Sequence, residues 1–349
     1  MLLKKNSFTA MVILLGALIL PFGCSSDKPE SAGSAGGEAK KSEKVYTLRI
    51  GDTTAPGDVL NVSLEEMAKA INERAGGRIK ATVYPSGQLG SLRTMTEALQ
   101  NNTLEMATQS PGGVASFWPV IGVLELPYLY ENHQEVYKIV DGPIGQELNQ
   151  KFLEKSGVRI MAYWMNFFRQ TTNNVRPVKN LEDMKGLKLR VPETKTVMET
   201  IKYLGANPIP MAFSEVYTGL SQGAIDGQEN PFTVVYAAKL YEVQKYLSLT
   251  KHVYTPVIVM VSEEWYKALP EDLRQIIDEE MVVARGKARE LSERQDEELR
   301  EKLTDMMEIN EVDLTGFREA VQPVYDNMVS SAGQEAADYI KRITEELGR

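Results

Sequence analysis

Hydrophobic and polar positions follow two alternating periods along most of the chain. Tyr46–Gly51 predicts a strand, and Val59–Glu73 places apolar residues on one face at helical spacing before residues 75–77 (AGG) end the helix. Alternating apolar residues from Ile79 to Val83 predict a second strand, and Leu92–Gln100 predicts another helix. This repeated strand-helix unit is typical of an α/β fold with a largely parallel sheet.

A second set of segments with the same periods follows, which favours two lobes. It comprises the predicted strands Val158–Trp164, Leu187–Val191 and Asn207–Pro210, and the predicted helices Thr194–Leu204 and Ser214–Ser221, the latter with Ser214 as its N-cap.

One predicted helix is much longer than the others. Residues 271–306 contain no proline and one glycine, and their apolar residues are spaced through a strongly charged sequence. At 1.5 Å per residue such a helix extends about 50 Å, more than the diameter of one domain. We expect it to run across both lobes, with its charges on a solvated face.

The amino terminus has the plan of an export signal. Lys4 and Lys5 precede an apolar run, residues 10–22, that is too short to span a bilayer permanently. The run ends at Gly23-Cys24, and Cys24 is the only cysteine, so no disulfide can form within the chain. We interpret residues 1–23 as a signal peptide and Cys24 as a lipid-attachment site. The alternative is an ordinary cleaved signal followed by an incidental cysteine.

Residues 24–44 then read as a lipidated flexible tether, and residues 45–349 as the folded body. Removal of residues 1–23 takes away two lysines and no acidic residue, so the formal charge of −9 becomes −11. A protein this acidic is a poor candidate for binding nucleic acid or an anionic membrane surface. If the ligand is an anion, a few placed cations must attract it.

The inventory of catalytic groups is thin. The only histidines are His133 and His252, and neither has a second ligand at metal spacing. No phosphate loop, dinucleotide fingerprint or nucleophile elbow is present. The sequence therefore predicts no cofactor, no metal site and no enzyme activity.

Two polar residues stand out from their local patterns, and two aromatic residues are further candidates; each has an alternative structural role. Arg190 lies opposite the apolar face of a predicted strand, near its carboxyl end, where a guanidinium can grip a carboxylate or simply face solvent. Asn230 precedes a proline and fits a helix N-cap. Phe213 and Trp164 could stack on a ligand or belong to the core.

Several of these residues fall within motifs that resemble one family. The motifs are residues 84–90 (YPSGQLG), 126–128 (LPY), 168–173 (FRQTTN), 184–192 (MKGLKLRVP), 210–217 (PMAFSEVY), 226–231 (DGQENP) and 241–246 (YEVQKY). In this order they resemble the DctP-type periplasmic solute-binding proteins of tripartite ATP-independent (TRAP) transporters. The similarity covers essentially the whole body after Val45.

The resemblance implies a two-lobed α/β binding protein that closes on its ligand by a hinge motion, with a long helix touching both lobes. Lobe I would comprise roughly residues 45–166 and 256–295, and lobe II roughly residues 167–255 and 296–349. The expected partners are a small carboxylate ligand and the small and large membrane subunits of a TRAP permease. We expect an exported, lipid-anchored monomer.

The resemblance also assigns binding roles. The arginine of the KLRVP strand binds the substrate carboxylate in this family, which implies that role for Arg190. The arginine of the RQTT motif contributes as well and corresponds to Arg169. The family's binding asparagine and aromatic residue correspond to Asn230 and Phe213.

The chain departs from the sialic-acid-binding members at four positions. Ser110 and Gly113 replace an acid and a base, while Glu193 and Thr53 each replace an asparagine. Sialic acid is therefore disfavoured, although Thr53, Ser110 and Glu193 remain candidates for contacting another ligand. We expect a sugar acid such as a hexuronate ahead of a four-carbon dicarboxylate. A sensor that presents its closed form to a signalling kinase would use the same pocket and stays an alternative.

Overall fold

The computed structural model describes residues 44–164 and 167–349. The predicted signal peptide, Cys24 and nearly all of the tether lie outside the described residues. No helix within the described ranges is long and apolar enough to cross a membrane.

Two separate sheets organise the body. Their strands, in chain order, are β1 (Tyr46–Gly51), β2 (Ile79–Tyr84), β3 (Met106–Gln109), β4 (Val158–Trp164), β5 (Gln170–Asn173), β6 (Lys188–Val191), β7 (Asn207–Pro210), β8 (Gly227–Asn230), β9 (Tyr246–Ser248), β10 (Val257–Ser262) and β11 (Glu308–Asn310). The first sheet has the order β2-β1-β3-β10-β4, and the second has the order β11-β9-β5-β8-β6-β7.

Helices cover both sheets. They are α1 (Val59–Arg74), α2 (Leu92–Gln100), α3 (Pro111–Val114), α4 (His133–Val140), α5 (Pro143–Ser156), α6 (Lys195–Tyr203), α7 (Val216–Ser221), α8 (Phe232–Ala237), α9 (Glu263–Ala268), α10 (Glu271–Thr304), α11 (Phe317–Ala320) and α12 (Gln322–Glu346). Short 3₁₀ segments occur at Pro119–Glu125, Leu181–Met184, Phe213–Glu215 and Leu240–Glu242.

Each sheet is mixed, whereas the hydrophobic pattern predicted a largely parallel sheet. In the first sheet β10 runs antiparallel to β3 and β4. In the second sheet β5 runs antiparallel to β8 and β9. Both reversed strands come directly after the chain has crossed from the other sheet, so their direction follows from the crossing and not from a local strand-helix unit.

The predicted long helix is confirmed as α10. It packs against α1 and β4 beside the first sheet and against α8 beside the second. Buried Leu273, Ile277 and Met281 of α10 share one core cluster with Leu64 and Ile71 of α1. The helix therefore joins both lobes of a two-lobed α/β fold.

The helix expected at Ser214–Ser221 begins later than predicted. Phe213–Glu215 forms a 3₁₀ turn, and α7 starts at Val216 without a hydrogen bond from any capping side chain. The predicted capping role of Ser214 is therefore wrong, because this serine lies inside the turn. Other caps do form: Asp58 accepts from the Leu60 amide at 2.9 Å at the start of α1.

Candidate functional site

A cleft lies where the carboxyl ends of strands from the two sheets meet. It consists of two adjoining cavities of about 240 and 100 Å³. Both cavities are lined by Thr53, Leu92, Arg190, Pro192 and Phe213. This is the place at which α/β sheets commonly bind ligands.

Seven of the eight residues singled out from the sequence line this cleft. They are Arg190, Arg169, Asn230, Phe213, Thr53, Ser110 and Glu193. Trp164 lies elsewhere: it ends β4 inside the core cluster of α1 and α10, with 2 % of its surface exposed. The structure therefore places Trp164 in the core and not in the wall of the cleft.

Arg169 is paired inside the protein. Its Nη2 donates to Glu229 Oε1 at 2.8 Å and to the Glu229 carbonyl oxygen at 2.7 Å, and its Nε donates to Glu229 Oε2. Only 7 % of the Arg169 side chain and none of the Glu229 side chain is exposed. Because the carboxylate neutralises the guanidinium, this pair adds little net charge to the cleft.

His252 extends this pair into a buried network. Its Nε2 lies 3.2 Å from Glu229 Oε2 and its Nδ1 lies 2.9 Å from the Thr250 hydroxyl. Burial alone would raise the pKa of Glu229, but Arg169 and the His252 hydrogen bond outweigh it and hold this pKa at about 2. Glu229 is therefore an anion at neutral pH, and it fixes the orientation of Arg169.

Arg190 has no such partner. Its Nε and Nη2 both donate to the Met211 carbonyl oxygen, at 3.0 and 2.7 Å, and none of the described carboxylates forms an ion pair with it. Its guanidinium lies 5.5 Å from the centroid of the Phe213 ring. Burial lowers the pKa of Arg190 to about 10, so the group still carries its charge at neutral pH. Arg190 is therefore a buried cation without a paired anion among the described residues.

Asn230 ends β8 and does not cap the following helix, as its position before a proline had suggested. Pro231 occupies the N-cap position of α8, which has no side-chain cap. Asn230 Oδ1 accepts from Arg169 Nη2 at 3.1 Å, and its Nδ2 donates to Gln228. The strand register turns this side chain toward Arg169 instead of toward the helix amides.

Thr53 and Ser110, which follow strands of the first sheet, form part of the cleft wall. Thr53 follows β1, and Ser110 follows β3, where its hydroxyl accepts from the Gly113 amide at 3.0 Å and caps α3. Glu193 follows β6 with its side chain exposed, and its charge reaches Arg190. These three side chains border the space beside the two arginines.

The comparisons with known proteins identify the family. The model of the bacterial extracellular solute-binding proteins, family 7, matches residues 50–332. The chain belongs to this family. Its members are receptors for small organic acids in TRAP transport systems, act outside the cytoplasm and are not enzymes.

Individual relatives agree with this assignment. The 2,3-diketo-L-gulonate-binding periplasmic protein of Escherichia coli is 32 % identical over 305 residues, which cover 86 % of this chain and 92 % of that protein. The sugar acid binding protein of Advenella mimigardefordensis, solved with galactonate, is 30 % identical with a TM-score of 0.82 and covers 87 % of this chain and 99 % of its own. A TRAP solute-binding protein of Sulfurospirillum deleyianum with bound succinate is 27 % identical with a TM-score of 0.80, covering 86 % and 99 %.

This family member also places two acidic residues at its cleft that sequence reasoning missed. Asp52 is fully buried at the end of β1, where it accepts from the Thr108 hydroxyl at 2.9 Å. Glu125 accepts from the Gly112 amide at 2.8 Å and from the Thr255 hydroxyl at 2.6 Å. Burial raises the pKa of both carboxyls. The sequence did contain a signal for both: Asp52 directly follows a predicted strand, and Glu125 interrupts the apolar run of residues 123–127 (VLELP).

Metal binding has no support among the described residues. No group of three or more His, Cys, Asp or Glu side chains in residues 44–164 and 167–349 could hold an ion. Both ring nitrogens of His252 are engaged, by Glu229 and Thr250.

Proposed function

We propose that this receptor captures a monocarboxylate sugar acid, with hexuronates ahead of four-carbon dicarboxylates, and delivers it to a TRAP permease. The ligand carboxylate binds Arg190, with Arg169 and Asn230 beside it and Phe213 packed against the guanidinium of Arg190. Thr53, Ser110 and Glu193 contact the remainder of the ligand.

The observation that carries the proposal is the difference between the two arginines. Arg169 is neutralised by Glu229, whereas Arg190 is buried with only a carbonyl oxygen as acceptor. A buried charge is costly unless an opposite charge accompanies it. Neither arginine uses its Nη1 in a hydrogen bond to the described residues, so both have donors left for a ligand. Arg190, the single unpaired cation among the described residues of the cleft, therefore matches a ligand with a single carboxylate.

The acidic side chains at the cleft favour a ligand whose remainder carries hydroxyl groups and no second carboxylate. Asp52, Glu125 and Glu193 all border the cleft, and none of the described cations forms an ion pair with them. A second ligand carboxylate placed near the acidic side chain of Glu193 would be repelled, whereas hydroxyl groups can donate to these side chains. The relatives that bind diketogulonate and galactonate agree with this ranking, and the relative with succinate marks the alternative.

The proposal includes the cellular setting. Residues 1–23 direct export, Cys24 carries a lipid, and residues 24–44 tether a monomeric body to the membrane. The body closes as two lobes, roughly residues 45–166 with 256–295 and residues 167–255 with 296–349. The closed form is what the small and large permease subunits recognise.

A thermal-shift screen followed by calorimetry tests the ligand class. Galacturonate, glucuronate, galactonate and gulonate form one group, and succinate, malate and fumarate form the other. A ligand that binds only the folded state raises the melting temperature by mass action. We expect the first group to give the larger shifts and the tighter calorimetric binding. Tight succinate binding without any response to the sugar acids would reverse the ranking.

A further inference from the structure

A second, much smaller cavity lies behind the ligand cleft. Its volume is about 20 Å³, enough for one water molecule. It shares Thr54, Leu60, Val234 and Val257 with the cleft wall, and it is closed at the back by other residues that include Asp58. The cavity is thus separated from the ligand site by a single layer of side chains.

Three elements from different parts of the fold meet at this cavity. Asp58 comes from the start of α1 beside the first sheet, Thr233 from α8 beside the second sheet, and Ser292 from α10, which contacts both. The exposed fractions of these residues are 4, 4 and 1 %. A movement that separates α1 from α8 would open this cavity to water.

Asp58 is only half satisfied in this enclosure. Its Oδ1 accepts from the Leu60 amide at 2.9 Å, whereas its buried Oδ2 has no hydrogen-bond partner among the described residues. Both side-chain amide atoms of Asn61, about one helical turn away, are likewise buried without a partner in the described part of the chain. No described cation forms an ion pair with Asp58. An ionised carboxylate in such a place bears an unfavourable charge, and a protonated one does not.

We propose that Asp58 is a closure-linked proton site, so that ligand binding, which brings α1 and α8 together around this cavity, is accompanied by uptake of a proton on Asp58. This inference rests on the proposed function, because it requires a ligand that closes the cleft. Lower pH then tightens ligand binding although Asp58 does not touch the ligand, since linkage between two ligands is reciprocal.

Burial, together with the charge of Asp52, favours the protonated form of Asp58. Burial raises its pKa to about 7, and the nearby charge of Asp52 acts in the same direction, while the hydrogen bond from the Leu60 amide opposes both. Among the described residues, Asp58 is the only titratable one in the cavity wall; α8 and α10 contribute the hydroxyl residues Thr233 and Ser292. In an opened cleft a solvated aspartate returns toward its ordinary pKa of about 3.9.

Calorimetry in buffers with different ionisation enthalpies counts the protons taken up per ligand. The probe is the sugar acid or other organic acid that gives the largest thermal shift, and its carboxylate is ionised throughout pH 6 to 8. Between a closed pKa of about 7 and an open pKa of about 3.9, Asp58 contributes uptake of about 0.9 proton at pH 6 and about 0.1 at pH 8. The same linkage weakens binding about tenfold from pH 6 to pH 8.

The decisive comparison is between the wild type and Asp58→Asn, which keeps the size of the side chain and its ability to cap α1. We expect the variant to lose the uptake assigned to Asp58, while any uptake on Asp52 and Glu125 persists in both proteins. Asp58→Ser provides a second capping variant if the asparagine destabilises the fold. Asp326→Asn, at an exposed position of α12, is the matched control and should behave like the wild type.

The possible failures are distinguishable. If the wild type and both Asp58 variants take up the same number of protons at pH 6 while binding ligand, the closure-linked site is wrong and the proposed function stands. If no organic acid gives a binding heat or a thermal shift, the proposed function fails first, and the inference that depends on it falls with it.

Discussion

Arg169 donates to both the side chain and the main chain of Glu229, so one guanidinium is held by a residue 60 positions later in the chain. The carboxylate is completely buried and is also contacted by His252. Arg190, the other arginine of the cleft, has no acidic partner of this kind among the described residues. The two arginines are therefore not equivalent, and substitutions at each should have different consequences.

Arg190→Ala should abolish most of the ligand affinity with little effect on folding. Removal of one partner of a buried, hydrogen-bonded charge pair costs about 2 to 5 kcal/mol, which corresponds to a loss of roughly thirty-fold to several thousand-fold in affinity. Calorimetry with the ligand found in the screen measures it. Arg294→Ala removes an exposed arginine of α10 and serves as the charge-matched control. Binding by Arg190→Ala within a few-fold of wild type would show that the carboxylate clamp is another residue.

Arg190→Lys should recover little of this loss. An ammonium keeps the charge but cannot reproduce the planar arrangement in which Nε and Nη2 hold the Met211 carbonyl oxygen while Nη1 stays free. The affinity of the lysine variant should lie much nearer to Arg190→Ala than to the wild type. Recovery to near wild-type affinity would mean that the site recognises charge without the fork geometry.

Arg169→Ala should damage folding as well as binding. It leaves the buried carboxylate of Glu229 without its main counter-charge, and breaking a buried pair in this way costs about 3 to 5 kcal/mol of stability. Urea unfolding measures the loss. The double variant Arg169→Met with Glu229→Gln removes both charges and should be more stable than Arg169→Ala. Equal stability of the single and double variants would contradict a stabilising role for the pair.

Glu229→Gln should destabilise the protein in a pH-dependent way. The folded pKa of Glu229 is about 2, below the ordinary value of about 4.3, so its ionised form contributes stability above pH 4.3 that is lost as the pH falls toward 2. The difference in unfolding free energy between wild type and variant should therefore shrink from pH 7 to pH 3. Glu319→Gln, an exposed change on α11, should show no such trend. A constant difference would exclude this assignment.

Cys24→Ala should release the protein from the membrane. The lysine-apolar-glycine-cysteine leader predicts lipidation at this residue, and one cysteine is all the chain has. Fractionation of cells expressing wild type and variant compares the membrane and soluble fractions. If both proteins are equally soluble outside the cytoplasm, Cys24 carries no lipid and residues 1–23 are an ordinary cleaved signal.

The sequence by itself determined the elements whose apolar residues repeat with a clear period. Leu92–Gln100 and Val158–Trp164 have the predicted bounds, and α10 ends two residues before its predicted end. Such segments bury one face of a strand or helix, and because burial requires apolar residues on that face, the apolar residues repeat with the period of that element. The motifs around Arg169 and Arg190 likewise indicated the family, and seven of the eight residues singled out from the sequence line the cleft.

The existence of two polar strands, β5 and β8, could be learned only from the tertiary structure. β5 and β8 read QTTN and GQEN, and all of their residues are buried. They are stable inside the sheet because their side chains hydrogen-bond across it, as Gln228 does to the Thr172 hydroxyl at 2.9 Å. Because no apolar period predicts such a strand, Asn230 was interpreted from the sequence as a helix cap.

The pairing of buried charges also could not be predicted from the sequence. Arg169 and Arg190 both occupy motifs of the same family, and nothing in their neighbours shows that Glu229 neutralises the first and leaves the second unpaired. Asp58 directly precedes a predicted helix in the sequence, and only the packing of α8 and α10 around it creates a buried carboxylate with an oxygen that lacks a partner among the described residues. Local periodicity reports which faces are buried, whereas the pairing of buried charges depends on distances between segments far apart in the chain.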